Sequence, residues 1–139
     1  SRWSRGLGDV YKRQDSGGEP DEVIRAHWEA RGLRFQALRM VDGSGLARAD
    51  YITPHDLAKL QYLAGGGPAG SEYKESLISR DGGALRWKAG AMSSIRSYTG
   101  YALGDSGEEF CFALMVNHFE DGEAVTALAW ELFAALREL

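Results

Sequence analysis

The sequence predicts an α+β fold in which an antiparallel sheet is covered by helices. Strand-type patterns occupy residues 84–88, 95–103 and 110–116, and they follow several helix-type segments. The strands are joined by short connections, and Asp105-Ser106-Gly107 has the composition of a tight hairpin turn, so the strands are expected to run antiparallel. Residues 110–116 are continuously apolar, so both faces of the sheet are expected to be covered.

Composition sets limits on the class of protein. The chain has 139 residues and is 44% hydrophobic, so it fits one domain or part of one. The net charge of −4 gives no footprint for nucleic acid, and no run of 18 apolar residues is available to cross a membrane. Cys111 cannot form an internal disulfide, and the histidines at 27, 55 and 118 lack metal-ligand spacing. We therefore expect neither a metal nor a cofactor.

The N-terminal segment differs from the rest of the sequence. Residues 1–14 lack apolar periodicity, and residues 4–14 resemble the translated adapter sequence found at the ends of reading frames from metagenome assemblies. We interpret residues 1–14 as such an artefact and residues 15–20 as a polar linker. On this interpretation the chain is a fragment of a longer protein. The alternative is an ordinary basic, disordered N-terminal arm.

Three helices are expected before the strand at residues 84–88, and the first two have clear start or stop residues. The first covers residues 21–31, where acidic residues open the helix and Gly32 stops it. A short strand at residues 35–40 and a glycine-flanked loop at residues 41–46 follow. Thr53 then provides an N-cap, Pro54 suits the first helical position, and Asp56 completes a pattern like a capping box.

The remaining helices flank the predicted strands. The glycines at residues 65–67 end the helix that starts at Thr53, and a shorter helix is expected at residues 71–78. A C-terminal helix begins at Asp121 and should pack on the sheet. Its predicted apolar face consists of Val125, Leu128, Leu132, Leu136 and Leu139.

Two short segments carry residues suited to chemistry. Ser44 lies in the glycine loop, and Lys88-Ala89-Gly90 is expected to end the first strand, where a ligand can approach the backbone closely. Taken alone, Ser44 is a turn serine and Lys88 is a surface lysine.

The order of these and later segments resembles a known family. The series Asp-Gly-Ser-Gly-Leu, Lys-x-Gly, Gly-Tyr and Phe-Ala-Leu-x-Val-Asn resembles the C-terminal part of D-alanyl-D-alanine carboxypeptidases of the PBP4 type, serine peptidase family S13. The resemblance covers residues 23–139. It implies that residues 21–139 are the C-terminal part of a serine β-lactamase/transpeptidase-like domain.

The resemblance also implies an activity. The parent protein would be a serine-type carboxypeptidase or endopeptidase that cleaves peptidoglycan stem peptides through an acyl-enzyme. It would bind β-lactams at the same serine, and it would lie in the periplasm or the cell envelope.

Such enzymes combine a Ser-x-x-Lys, a Ser-x-Asn and a Lys-Thr/Ser-Gly. The second pattern corresponds to Ser44-Gly45-Leu46 and the third to Lys88-Ala89-Gly90. The resemblance therefore implies catalytic roles for Ser44 and Lys88, and substrate-binding roles for Gly45, Leu46, Ala89 and Gly90. Leu46 replaces the expected asparagine and Ala89 the expected hydroxyl residue. Ser44 and Lys88 are expected to face each other across one cavity.

The nucleophile pattern is expected upstream of the chain. Ser71-Glu72-Tyr73-Lys74 fits Ser-x-x-Lys, but it falls between the other two patterns, so we interpret it as a solvent-facing helix pair. The fragment is therefore expected to be inactive alone. One alternative is a degenerate, non-catalytic homologue that binds peptidoglycan or a protein partner, which Leu46 and Ala89 favour. A weaker alternative makes Ser71 and Lys74 the nucleophile and base of an unrelated small hydrolase.

Overall fold

The computed structural model describes residues 20–139, which divide into two compact units. The first unit ends at Asp56 and the second begins at Leu57. The predicted adapter artefact at residues 1–14 lies outside the described residues, as does the predicted linker at residues 15–20 except for Pro20, which begins a helix. Within the described part of the chain, no helix combines the length and the hydropathy needed to cross a bilayer.

The first unit begins with helix α1 (Pro20–Glu29). Asp21 and Glu22 in its first turn favour the helix because they face the positive end of the helix dipole. The chain leaves the helix through Gly32, whose φ of +89° is readily adopted by glycine. The predicted first helix is therefore confirmed.

A short two-stranded ribbon follows α1. Strands β1 (Leu38–Arg39) and β2 (Tyr51–Ile52) pair antiparallel, with Leu38 opposite Ile52 and Arg39 opposite Tyr51. The connection between them is the loop that carries Ser44. The two ends of this loop are thus fixed next to each other.

Helix α2 (Pro54–Gly65) begins as predicted, but Asp56 has a different role. The Oγ1 atom of Thr53 accepts the backbone N–H of Asp56 at 3.1 Å, which confirms the N-cap. The Asp56 carboxylate, whose side chain is 0% exposed, instead accepts the N–H groups of Gln36 at 2.7 Å and Ala37 at 3.2 Å. The predicted capping box is wrong because these two N–H groups need an acceptor.

The second unit contains a four-stranded antiparallel sheet in the order β3-β4-β5-β6. The predicted strands at 95–103 and 110–116 are confirmed, and Gly107 in their hairpin turn has a φ of +84°. The elements of this unit after α2 are α3 (Gly70–Glu75), β3 (Ile78–Arg80), a 3-10 turn (Asp81–Gly83), β4 (Leu85–Met92), β5 (Ile95–Leu103), β6 (Glu109–Asn117) and α4 (Gly122–Arg137).

Two predicted boundaries are wrong. The helix expected at residues 71–78 ends at Glu75, and Ile78 starts a strand whose residues pair with those at 85–87. The strand expected to end at Lys88-Ala89-Gly90 continues to Met92, because residues 88–92 pair with residues 95–99 of β5. The chain reverses only at Ser94, which has a φ of +56°.

Helix α4 packs on one face of the sheet as predicted, and Val125 and Leu136 of the predicted apolar face do contact the core, but the rest of the buried stripe differs from the prediction. Phe133 is 2% exposed and its ring centroid lies 4.8 Å from that of Phe112, whereas Leu128, Leu132 and Leu139 are 47%, 42% and 60% exposed. The prediction followed the leucines, while the buried positions follow a strict four-residue spacing. They are Val125, Ala129 and Phe133.

Helices α2 and α3 contact the opposite face. Tyr101 alternates with the core residue Ala102 along β5, and its hydroxyl donates to the carbonyl of Gln61 at 2.5 Å. Its ring also lies edge-on to Tyr73 of α3, with the ring centroids 6.5 Å apart. The α+β class with helices on both faces of the sheet is therefore confirmed.

Candidate functional site

The loop around Ser44 is organised by the Asp42 carboxylate. The Oδ1 atom of Asp42 accepts the hydroxyl of Ser44 at 3.0 Å, the N–H of Ser44 at 3.0 Å and the N–H of Gly45 at 2.9 Å. The Ser44 hydroxyl in turn accepts the N–H of Leu46 at 3.3 Å. The orientation of an exposed hydroxyl is thus set before any ligand binds.

The charge of Asp42 follows from these contacts. Desolvation acts to raise the pKa of Asp42, but the Ser44 hydroxyl and the N–H groups of residues 44–46 outweigh it, so the pKa is lowered. Asp42 therefore stays ionised at neutral pH and is a poor base towards Ser44. Its role is to orient the hydroxyl.

Gly45 and Leu46 form the exposed rim of this loop. Gly45 has a φ of +73°, which lets the backbone turn around Asp42. Leu46 is 72% exposed, so an apolar side chain stands in solvent where the resemblance calls for an amide. It can contact apolar parts of a ligand but cannot donate a hydrogen bond.

Lys88 and Gly90 lie on the sheet face that also carries Tyr101. Lys88 is opposite Thr99 and Gly90 is opposite Ser97 in the β4–β5 register. The Lys88 ammonium is exposed and donates to the carbonyl of Ala89 at 3.1 Å. A cation therefore lies beside a strand segment that offers backbone groups to a ligand.

The Ala89 side chain lies on the opposite face of the sheet from those of Lys88 and Tyr101. Successive side chains of a strand face opposite sides, and Ala89 packs against the core cluster beneath α4. The position that a hydroxyl residue occupies in the resembled motif is therefore directed towards the helix layer.

Next to Lys88, one edge of β4 has no strand paired with it in the described part of the chain. Strand β3 pairs only with Leu85, Arg86 and Trp87, so among residues 20–139 no strand lies beside residues 88–92 on that side. An unpaired strand edge can pair with an extended peptide through backbone hydrogen bonds.

The second Ser-x-x-Lys candidate has a structural role. Lys74 forms an ion pair with Glu109 of β6, and its ammonium lies 4.6 Å from the ring centroid of Tyr101. Lys74 is therefore not solvent-facing as predicted, because it reaches from α3 to the sheet. Ser71 stands exposed at the start of the six-residue helix.

Three titratable groups around Tyr101 have a raised pKa and are therefore neutral at pH 7. Burial raises the pKa of Tyr73, and burial with the nearby Tyr73 raises the pKa of Tyr101. Burial, then the charge of Glu109, raises the pKa of the Cys111 thiol, while Lys74 acts in the opposite direction. Cys111 is consequently a poor nucleophile. In the described part of the chain, no cluster of three or more His, Cys, Asp or Glu residues could hold a metal ion.

The six predicted site residues thus fall into two groups. Ser44, Gly45 and Leu46 share a loop in the first unit, whereas Lys88, Ala89 and Gly90 are consecutive in β4 of the second. The expectation that Ser44 and Lys88 face one cavity stays a prediction. The role of Asp42 was not predicted, although an aspartate two residues before a serine in a glycine loop is a recognisable turn signal.

Comparison with known proteins places the chain in a family and a fold. The model of the D-Ala-D-Ala carboxypeptidase 3 (S13) family matches residues 4–133. A crystal structure of penicillin binding protein 4 (dacB) from Haemophilus influenzae, complexed with a novel β-lactam, superposes with a TM-score of 0.73 at 16% identity, over 86% of this chain and 33% of that chain.

A second structure of the same Haemophilus influenzae protein gives a TM-score of 0.67 at 19% identity, over 82% of this chain and 31% of that chain. The chain therefore spans about a third of the length of that penicillin binding protein. No curated protein sequence is significantly similar. The helices and antiparallel sheet described above have the fold of the corresponding part of penicillin binding protein 4.

Proposed function

Because the chain belongs to the D-Ala-D-Ala carboxypeptidase 3 (S13) family, we propose that it is part of a serine-type D-Ala-D-Ala carboxypeptidase or endopeptidase acting on peptidoglycan stem peptides. The family match over residues 4–133 carries the proposal, and the fold shared with penicillin binding protein 4 supports it. The longer protein to which the chain would belong is the parent protein below. Its place of action would be the periplasm or the cell envelope, where peptidoglycan is found.

The proposed reaction is acyl transfer through a serine. The serine oxygen attacks the carbonyl carbon of the D-Ala-D-Ala bond, and the terminal D-Ala leaves with a proton on its amine. Water then cleaves the ester and restores the serine hydroxyl. A β-lactam amide would be opened by the same attack, which makes β-lactams ligands of the parent protein.

The nucleophile is assigned to a Ser-x-x-Lys outside this chain. Within the chain, the lysine of the only such pattern is paired with Glu109, which makes it unsuited to accept a proton from Ser71. We expect the chain alone to remain unlabelled by fluorescent penicillin. A Ser71→Ala change should leave labelling of the parent protein unaltered, and a loss of labelling would favour the small-hydrolase alternative.

Ser44 is proposed to relay a proton to the leaving amine. Its hydroxyl is oriented by Asp42 and by the N–H of Leu46, so little reorganisation is needed when a substrate binds. Lys88 is proposed to attract the terminal carboxylate of the substrate, while the unpaired edge of β4 at residues 88–92 pairs with the extended peptide backbone. No step requires a metal or a cofactor.

A second function is favoured by two residues. Leu46 and Ala89 lack polar groups, and loss of one hydrogen bond to a charged group weakens binding by about 1.5–3 kcal/mol. A non-catalytic homologue that binds peptidoglycan or a protein partner would tolerate both losses.

Labelling of the purified parent protein with fluorescent penicillin tests the proposal. Ser44→Ala should slow acylation by about 100-fold or more, as expected for loss of a positioned proton-transfer group. Lys88→Met should slow it by about 10-fold or more, because a charged hydrogen bond is lost. Ser106→Ala, in the β5–β6 turn, and Lys59→Met, on the exposed side of α2, are matched controls that should label normally. A parent protein that binds peptidoglycan but is neither labelled nor able to release D-Ala would support the non-catalytic alternative.

A further inference from the structure

The motif Lys88-Ala89-Gly90 in β4 has no hydroxyl residue of its own. Ala89 occupies the position expected to carry one, and its side chain is turned into the core beneath α4. The Lys88 and Gly90 positions face the other side of the sheet. A hydroxyl that acts together with Lys88 must therefore come from another residue on that side.

Ser97 of β5 is placed next to the motif glycine. It lies directly opposite Gly90, and a Cβ atom built on Gly90 would be 2.6 Å from the Ser97 Oγ atom. The Ser97 hydroxyl thus occupies the space above Gly90 that any other residue at position 90 would fill. It lies on the same sheet face as Lys88, since Lys88 and Gly90 are two residues apart on one strand.

The other hydroxyls on this face are committed to the protein. Thr99, opposite Lys88, donates its hydroxyl to the carbonyl of Phe112 at 2.9 Å, and the Tyr101 hydroxyl donates to Gln61. Ser97 makes none of the side-chain hydrogen bonds found among residues 20–139, and its side chain is only partly buried. Ser97 is therefore the hydroxyl on this part of the face that can donate to a ligand.

We propose that the Ser97 hydroxyl, in place of a hydroxyl at position 89, binds the terminal carboxylate of the substrate together with Lys88. The two residues are diagonal neighbours on adjacent antiparallel strands, a relationship that separates their backbones by about 7–8 Å. A carboxylate fits between two donors at this spacing, with one oxygen for the ammonium and the other for the hydroxyl. The inference rests on the proposed peptidase function and makes Ser97 a specificity-determining residue.

The test uses two peptide substrates and the parent protein. One substrate ends in D-Ala-D-Ala with a free carboxylate, and the other carries a terminal carboxamide. Ser97→Ala should lower kcat/KM for the free acid by about 10-fold or more, because a hydrogen bond to a charged group is lost, and should change the carboxamide by less than about 3-fold. Ser97→Thr should keep the preference for the acid. Ser93→Ala, in the exposed β4–β5 turn, is the matched control and should behave as wild type.

A change at Gly90 is expected to displace the Ser97 hydroxyl. Gly90→Ala places a methyl group where the Ser97 hydroxyl lies, so it should also reduce the preference for the acid. In the double variant Gly90→Ala/Ser97→Ala the steric clash with the Ser97 hydroxyl is absent. The preference for the acid over the carboxamide should therefore be no lower than in Ser97→Ala alone.

The outcomes separate this inference from the proposed function. If Lys88→Met lowers the preference for the acid and Ser97→Ala does not, the role of Ser97 is wrong while the peptidase function stands. If the parent protein cleaves neither peptide, the proposed function itself fails. A preference lost in Ser97→Ala and kept in Ser97→Thr, with unchanged melting temperatures, supports the inference.

Discussion

The Ser44 hydroxyl donates to the Oδ1 atom of Asp42 at 3.0 Å, and the same oxygen accepts the N–H groups of Ser44 and Gly45. One carboxylate oxygen thus fixes both the side chain and the backbone of the serine that the motif comparison singles out. The loop is exposed, so its order depends on these hydrogen bonds more than on burial. Its two ends are held next to each other by the β1–β2 pairing.

Asp42→Ala is expected to loosen the Ser44 loop without unfolding the protein. Three hydrogen bonds to Oδ1 are lost, but Asp42 is only partly buried and Ser44 and Gly45 are exposed, so the effect on global stability should be small. Penicillin acylation of the parent protein should fall by about 10-fold, and limited proteolysis between residues 41 and 50 should become faster. Asp105→Ala, in the β5–β6 turn, is the control. Acylation and proteolysis that match the control would show that Asp42 does not position Ser44.

The pKa of Asp42 leads to a prediction on acid pH. The pKa is lowered in the folded protein, so its contribution to loop order is complete above the ordinary aspartate value and is lost only as pH falls through the lower folded value. A carboxyl carbon NMR titration should therefore place the Asp42 midpoint below 3.8. A midpoint at or above 3.8 would contradict the hydrogen-bonded loop.

Phe133→Ala should be among the most destabilising single changes in the second unit. Phe133 is 2% exposed, and its ring centroid lies 4.8 Å from Phe112, 5.5 Å from Trp130 and 5.6 Å from Tyr98. Removing a buried aromatic ring typically costs about 3–5 kcal/mol. Leu132→Ala, one residue earlier and 42% exposed, should cost less than about 1 kcal/mol. Urea unfolding of the two variants measures the difference in unfolding free energy. Equal losses in the two variants would mean that the leucine face predicted from the sequence is buried after all.

The sequence predicts elements whose signals are local. Thr53 and Pro54 mark the start of α2, and the turn before Gly107 marks the β5–β6 hairpin, because caps and turns depend on the preferences of a few adjacent residues. Strand β3 has no such signal. Ile78, Ser79 and Arg80 are all exposed, so they lack the alternation that would reveal a strand.

The two halves of the candidate site also differ in whether their contacts are local in the sequence. The Asp42–Ser44 contact spans two residues and can be inferred from sequence. The position of Ser97 depends on the β4–β5 register, which brings it opposite Gly90 after the chain reverses at Ser94. The prediction ended β4 at Gly90 because glycine often marks the end of a strand, and this left the pairing of Gly90 with Ser97 unpredicted. In the structure the strand continues, and the absence of a side chain at Gly90 leaves room for the Ser97 hydroxyl.

Asp56→Ala should locally open the connection before β1. The change leaves the N–H groups of Gln36 and Ala37 without their acceptor, at a cost of about 1–3 kcal/mol for each group that stays buried. Native-state hydrogen exchange at these two amides should therefore accelerate. Asp56→Asn keeps one acceptor oxygen and should lie between wild type and Asp56→Ala.

The pKa of Asp56 sets the pH at which this connection weakens. Burial acts to raise the pKa, but the N–H groups of Ala37 and Gln36 and the neighbouring Thr53 and His55 together lower it. The stabilisation is therefore present at neutral pH and is lost as pH falls through the lowered value. Unchanged amide exchange in Asp56→Ala at pH 7 would show that other groups hold this connection.

Ala89→Thr restores the family-like residue in the β4 motif. Its outcome distinguishes what motif matching predicts from what the structure predicts. Motif matching alone predicts a stronger preference for substrates with a free carboxylate. The structure directs the side chain at position 89 towards the core beneath α4, so the added hydroxyl should meet apolar groups instead of substrate. We expect an unchanged preference for the acid over the carboxamide and a loss of about 1–3 kcal/mol in unfolding free energy, with Ala89→Val as the control of similar shape. A rise in the preference for the acid in Ala89→Thr would mean that the substrate reaches this side of β4.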